Sequence, residues 1–200
     1  MSTFKTWLSR AGTLCLVLFV ALILWRMFVL ERTKQTAVQV EKIHSTKLTM
    51  DDVMGKNLPA KPANPDSTIA GVDVNKNGIR DDVELAIFAT YPNSAKTRAV
   101  LLQYALALQM DFTQQLVDTG TVSAVAEEES RGYLCIGDIT SRDNMENFIA
   151  VGDKLHKFVE SKMLNTQERK NSRQEFFSYL RSGDVPNQNV CDVDLSKLLN

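Results

Sequence analysis

Hydrophobic residues are spread unevenly along these 200 residues, and their spacing divides the chain into distinct parts. Residues 1–10 form a short N-terminal tail. Between Ala11 and Leu30 only Thr13 and Arg26 interrupt an apolar run, and about twenty such residues are what a bilayer-spanning helix requires. Residues 31–72 are mostly polar. Val38, Val40, Ile43 and Leu48 are sparse apolar positions there, followed by Pro59, Pro62 and Pro65. This predicts a stalk that extends the first helix and then an extended linker, because proline forbids regular helix.

From residue 81 to the end the apolar positions recur at three- and four-residue steps, the helical period. One helix is predicted over Asp81–Tyr91, stopped by Pro92. A second is capped by Ser94 and runs to about Thr119, with Val100, Leu101, Tyr104, Leu108 and Phe112 on its apolar face. A third covers Thr121–Cys135. Ser141 opens a fourth, which carries Met145, Phe148, Ile149, Leu155, Val159 and Met163. Thr166 opens a fifth, bearing Phe176, Phe177 and Leu180 and stopped by Gly183, before a tail containing Pro186 and Cys191. No run alternates as a strand would, and no internal repeat is present. The expectation is an all-α body, residues 81–200, built as a bundle of about five helices.

Charge sharpens the view of the N-terminus. The net charge is −1, which lacks the basic surplus of a nucleic-acid binder. Lys5, Arg10 and Arg26 are the only charges before Glu31, so the remainder holds 20 bases against 24 acids, about −4. Arg26, Met27, Phe28, Val29 and Leu30 follow Trp25 where a signal peptide would place small residues for cleavage. Residues 11–30 therefore read as an uncleaved signal anchor, a single transmembrane helix in an inner (cytoplasmic) membrane. Nearby bases are almost balanced, with Lys5 and Arg10 before the span and Arg26, Arg32 and Lys34 around and after it, so the positive-inside rule does not set the orientation. The short tail and signal-like order favour a body on the periplasmic or extracellular side. Cys15 lies in the span, leaving Cys135 and Cys191 in the body, most simply as one disulfide of an exported domain.

The chemistry is concentrated in residues 73–84, Asp-Val-Asn-Lys-Asn-Gly-Ile-Arg-Asp-Asp-Val-Glu. Calcium takes six to eight oxygens, and a twelve-residue loop can wrap them around it. Asp73, Asn75 and Asn77 stand at positions 1, 3 and 5, each with a short side chain and an oxygen to offer. Gly78 stands at position 6, where the chain turns sharply. Ile79 supplies a backbone carbonyl at position 7, Asp81 stands at position 9, and Glu84 at position 12 reaches back with two oxygens. The alternative is an Asn/Gly-rich turn that merely caps the helix beginning at Asp81.

The loop departs from an ordinary EF-hand in two respects. A proline-rich linker precedes it instead of a helix, and position 8 is Arg80 instead of an apolar residue. With Gly-Ile-x-Asp-Asp-x-Glu closing it, the loop resembles the calcium loops of bacterial thrombospondin type 3-like repeats. The resemblance covers these twelve residues alone, and it implies a calcium ion held by Asp73, Asn75, Asn77, Ile79, Asp81 and Glu84. Three ligand carboxylates and no partner loop imply an affinity of roughly 10⁻⁵ to 10⁻³ M, the range of extracellular modules. The implied role of calcium is structural, fixing the linker to the first helix of the body.

Other residues carry weaker signals. His44 and His156 have no partner at ligand spacing, and His156 reads as a partly buried structural histidine. A Cys135–His156 nucleophile pair can be drawn, without any supporting local motif. Glu127, Glu128 and Glu129 precede Ser130. Glu-Ser is similar to the setting of the acid in lytic transglycosylases, but the glycine-containing motif that should follow is absent, and a solvated helix face is the preferred reading. The sequence thus describes a membrane-anchored calcium-binding protein whose helical domain binds or scaffolds an unidentified protein partner. A cell-envelope hydrolase of the lytic type and a calcium-responsive sensor are the alternatives.

Overall fold

The computed structural model describes residues 2–181 and 189–199, excepting the side chains of residues 2–6, 8, 9 and 11. Every regular element among them is helical. The helices are α1 (Ser2–Ser45), α2 (Met50–Val53), α3 (Asp81–Thr90), α4 (Ala95–Thr113), α5 (Thr119–Ile136), α6 (Met145–Met163) and α7 (Gln167–Ser178), with short 3₁₀ turns at Gly137–Ile139 and Leu195–Lys197. This is the all-α architecture expected, with a long apolar first helix and five helices, α3 to α7, in the body.

The chain forms two compact units, Met1–Val38 and Gln39–Asn200. In the first, large apolar side chains between Leu14 and Leu30 are exposed. Among the described residues α1 is the one helix long and apolar enough to cross a membrane. Residues 39–72, predicted as the end of the stalk and the linker, belong to the second unit. Ile43, Leu48 and Val53 are buried in its core.

α4 is the centre of that unit. From Ala95 to Asp111 only Lys96 and Thr97 escape burial, and a helix apolar nearly all round must be surrounded. Its neighbours are α2, α3, α5, α6, α7 and the Gly137–Ile139 turn. Ser94 caps it as predicted, its hydroxyl accepting the Thr97 N–H. The helix stops at Thr113, short of the predicted Thr119, because Asp118 starts the next helix. The Asp118 side chain accepts the Gly120 N–H while Thr121 Oγ accepts the Asp118 N–H, a reciprocal cap that competes with continued helix. α6 likewise begins later than Ser141. Asn144 caps it by accepting the Asn147 N–H, and Ser141 is used in a turn with Asp143. Thr166 caps α7 as expected. The predicted stop at Gly183, and Pro186, lie outside the described residues.

The sulfurs of Cys135 and Cys191 lie at disulfide distance, 2.05 Å, across 56 residues of sequence. Beside them the tail is held by polar contacts. Asp192 accepts from Arg131 Nη2 (2.8 Å) and the Leu48 N–H (3.0 Å), and its own N–H donates to Gln103 Oε1 (2.9 Å).

Candidate metal centre

The loop Asp73–Glu84 is positioned from both sides by buried arginines. Before it, where an ordinary EF-hand has a helix, residues 63–71 follow a series of turns and bends instead of the expected extended linker, and α7 replaces the helix's support. Arg169, fully buried, donates from Nε to the Ile69 carbonyl (2.9 Å) and from Nη2 to the carbonyls of Thr68 (3.0 Å) and Pro65 (3.3 Å). Its Nη1 pairs with Asp66 and with Asn165 Oδ1. A planar guanidinium with five N–H groups is suited to collecting the carbonyls of a segment that lacks helical bonds of its own. Gln109 Nε2 adds a bond to the Ala70 carbonyl, 2.6 Å.

Inside the loop, Arg80 explains the unusual position 8. It is fully buried and holds Asp82 through two parallel bonds, 2.9 and 2.6 Å. Its other N–H groups reach the carbonyls of Lys162 and Met163 at the end of α6, each at 3.3 Å. Those are the unsatisfied, negatively polarised carbonyls of a helix terminus. Ile79, beside it, is fully buried in the core. So the loop is tied to α6 by a cation, where an ordinary EF-hand would use an apolar contact to a second loop.

The predicted ligand residues are brought together. Asp73 Oδ2 accepts the Gly78 N–H (2.9 Å), Asn75 Oδ1 the Asn77 N–H (3.3 Å) and Asn77 Oδ1 the Ile79 N–H (2.9 Å), which curls the chain tightly. Gly78 has φ +85°, a backbone conformation that favours glycine, and a Cβ there would have to push aside the Leu106 Cδ1 methyl, 2.7 Å away. Asp81 Oδ1 reaches back to the Val74 N–H (3.0 Å). Glu84, from the first turn of α3, is bent toward the loop, its two oxygens accepting from Asn75 Nδ2 (3.0 Å) and Asn77 Nδ2 (3.1 Å).

The fit to a hard cation can be judged from what remains unpaired. Asp73 Oδ1 and Asp81 Oδ2 are buried without a hydrogen-bond partner. Buried carboxylate oxygens are costly unless hydrogen bonds or a cation compensate them. Burial pushes Asp73 above the usual carboxylate range, and pushes Glu84 up to about 7. The loop thus gathers negative charge without a basic side chain to neutralise it at Asp73, Asp81 or Glu84, since Arg80 is spent on Asp82. Among the described residues no three Asp, Glu, His or Cys side chains already stand as one metal-holding group. Glu84 is engaged with the two asparagine amides. A calcium loop draws on amide and backbone oxygens as well as carboxylates, so the donor set fits calcium better than it fits zinc, which favours nitrogen and sulfur.

The remaining candidates fall away from catalysis. Glu127–Glu129 were expected on a solvated face, yet Glu128 and Glu129 are buried. Glu128 accepts from Lys47 Nζ (2.7 Å) and Arg131 Nη1 (2.5 Å) and lies 2.9 Å from His44 Nδ1, while Glu129 pairs with Arg173 at 2.8 Å. The sequence showed no partner for His44 because its partners lie over eighty residues away. Cys135 meets Cys191, so it is no free nucleophile for His156. His156 is buried, its ring stacked on Tyr133 with centroids 3.6 Å apart. No protein-family model, curated protein or solved structure matches this chain.

Proposed function

We propose that this chain is an exported protein held to an inner membrane by residues 11–30, with a helical body locked at its entrance by calcium and serving as a binding or scaffold module. The observation that carries the calcium reading is the pair of buried, unpartnered oxygens, Asp73 Oδ1 and Asp81 Oδ2, in a loop where no other buried side-chain nitrogen or oxygen lacks a partner. Calcium would supply the positive charge those oxygens lack. Asp73, Asn75, Asn77, the Ile79 carbonyl, Asp81 and Glu84 would hold it, with Glu84 released from the asparagine amides. The consequence is mechanical. The loop joins the arginine-held linker to α3, so fixing the loop fixes the chain's entry into the bundle. A role in structure, not signalling, follows from the supports on both sides, which leave no helix pair free to open.

Calorimetric titration of calcium into the full chain in detergent micelles, beside an Asp73→Ala, Glu84→Ala variant, tests this. The expected result is one site for the native chain and none for the variant. At a hundredfold excess over Kd, calcium adds about 2.7 kcal/mol, which is about 5–10 °C in Tm for a body of this size. Absence of binding at several millimolar would reduce the loop to a turn that caps α3.

A further inference from the structure

We propose that the cleft between the end of α5 and the first half of α6 binds a free amino acid with an aromatic side chain. The cleft has a volume of about 210 Å³ and is lined mainly by apolar surface. An apolar cavity of about 150 Å³ is enough to take up benzene, so the space suits one ring with its attached backbone atoms. One wall is aromatic. Tyr133 and His156 stack face to face, 5° from parallel, and Phe148 lines the same cleft.

Two features mark the cleft as built, not left over. Gly152 lines it from the middle of α6, a nineteen-residue helix, where glycine costs helix stability relative to alanine. Nothing lies within 4 Å of where a Cβ would stand, so no protein atom requires the glycine. Its effect is to keep the cleft open. Second, His156 is 8% exposed, and its Nε2 lies 3.1 Å from the Tyr133 carbonyl, which places the proton on Nε2. Nδ1 is then an acceptor, and it is buried without a partner.

Charge selects the ligand class. Arg142 and Asp153 both line the cleft. Arg142 lies over the Phe148 ring, 5.5 Å from its centroid, and neither it nor Asp153 forms an ion pair with any described residue. Both are exposed at the cleft's rim, and a cation and an anion at one apolar cleft complement a zwitterion, with carboxylate toward Arg142 and ammonium toward Asp153. An aromatic carboxylic acid could use Arg142 alone, and an aromatic amine Asp153 alone. The cleft is separate from Asp73–Glu84, and its test does not depend on calcium.

The test is titration of the full chain in micelles with L-phenylalanine, phenylacetate, phenethylamine and L-alanine, followed by calorimetry. Phenylalanine is expected to bind about tenfold or more tightly than each probe lacking one group. Gly152→Leu, which fills the cleft, should abolish binding with Tm unchanged or raised. Arg142→Gln should weaken phenylalanine and phenylacetate but spare phenethylamine, and Asp153→Asn should do the reverse. Equal affinity for phenylacetate and phenylalanine would overturn the zwitterion. Binding undiminished in Gly152→Leu, or no saturable binding of any probe, would overturn the site.

Discussion

Asp111 shows how far one residue's surroundings can reverse its ordinary behaviour. Its carboxyl is fully enclosed between α4, α5 and α7, facing Glu129 and Arg173. Burial first, and the Glu129 charge second, push it up to about 9. The Arg173 guanidinium works in the opposite direction, being shared between the two acids. The native state therefore keeps a proton that the unfolded chain releases near the ordinary value of 3.8. A group whose folded pKa is raised in this way contributes stability at low pH that is lost as pH climbs, here between about 4 and 9. Asp111→Asn keeps the shape, can still accept from Arg173 and donate toward Glu129, and holds no proton to lose. The variant should be more stable at pH 8, by about 1 kcal/mol or about 2–4 °C, with little change at pH 4. Thermal unfolding at both pH values checks this, and an equally steep decline in both proteins would contradict it.

Among the elements, the irregular segment before the loop depends most on remote partners. Arg169 reaches it across about a hundred residues of sequence and satisfies the carbonyls of Pro65, Thr68 and Ile69. Arg169→Met should lower stability by about 3 kcal/mol, because Asp66 and the three carbonyls lose their donor. Arg169→Lys should recover only part of the loss, since one ammonium cannot reproduce the fork. Urea midpoints, with calcium affinity measured beside them, test both statements, and affinity should fall in parallel as the loop's entry loosens. These contacts also show where sequence reading stops. The convergence of the Asp73–Glu84 side chains was legible because the loop is local, each bond reaching a residue only a few positions away. The helix periods and the caps at Ser94 and Thr166 were legible for the same reason. The shift of a helix start to Asp118 was in principle visible in Asp118 and Thr121, two local cap formers. Arg80, Arg169 and the buried state of Glu128 and Glu129 were not, because their partners are brought near only by the fold. A run of three glutamates reads as solvated until Lys47, Arg131 and Arg173 are placed beside it.

At the scale of the whole molecule, three independent features bear on where the body resides. α1 can cross a membrane by length and composition. Cys135 and Cys191 lie at disulfide distance, and joining them closes a span of 56 residues. By chain entropy such a bond is worth about 4 kcal/mol, a large share of the stability of an ordinary domain. It persists only in an oxidising compartment. On the proposed calcium reading the loop, with three carboxylates, would have the affinity of modules that meet millimolar calcium outside cells and stand empty at cytosolic levels. The disulfide and the proposed metal would thus make the same demand, that the body fold on the exported side, and the loss of either on the reducing side would leave a marginal domain. A Cys15→Ala chain expressed in bacterial cells, treated with a thiol-specific maleimide after denaturation, with and without prior reduction, tests that demand. Labelling of Cys135 and Cys191 is expected only after reduction, and protease added to permeabilised outer membranes should digest the body while sparing residues 11–30. Full labelling without reduction, together with protection from protease, would place the body on the cytoplasmic side. Calcium could not then serve as its lock, whatever affinity the loop shows in the calorimeter, because a site filled only at extracellular concentrations does no structural work where the ion is scarce.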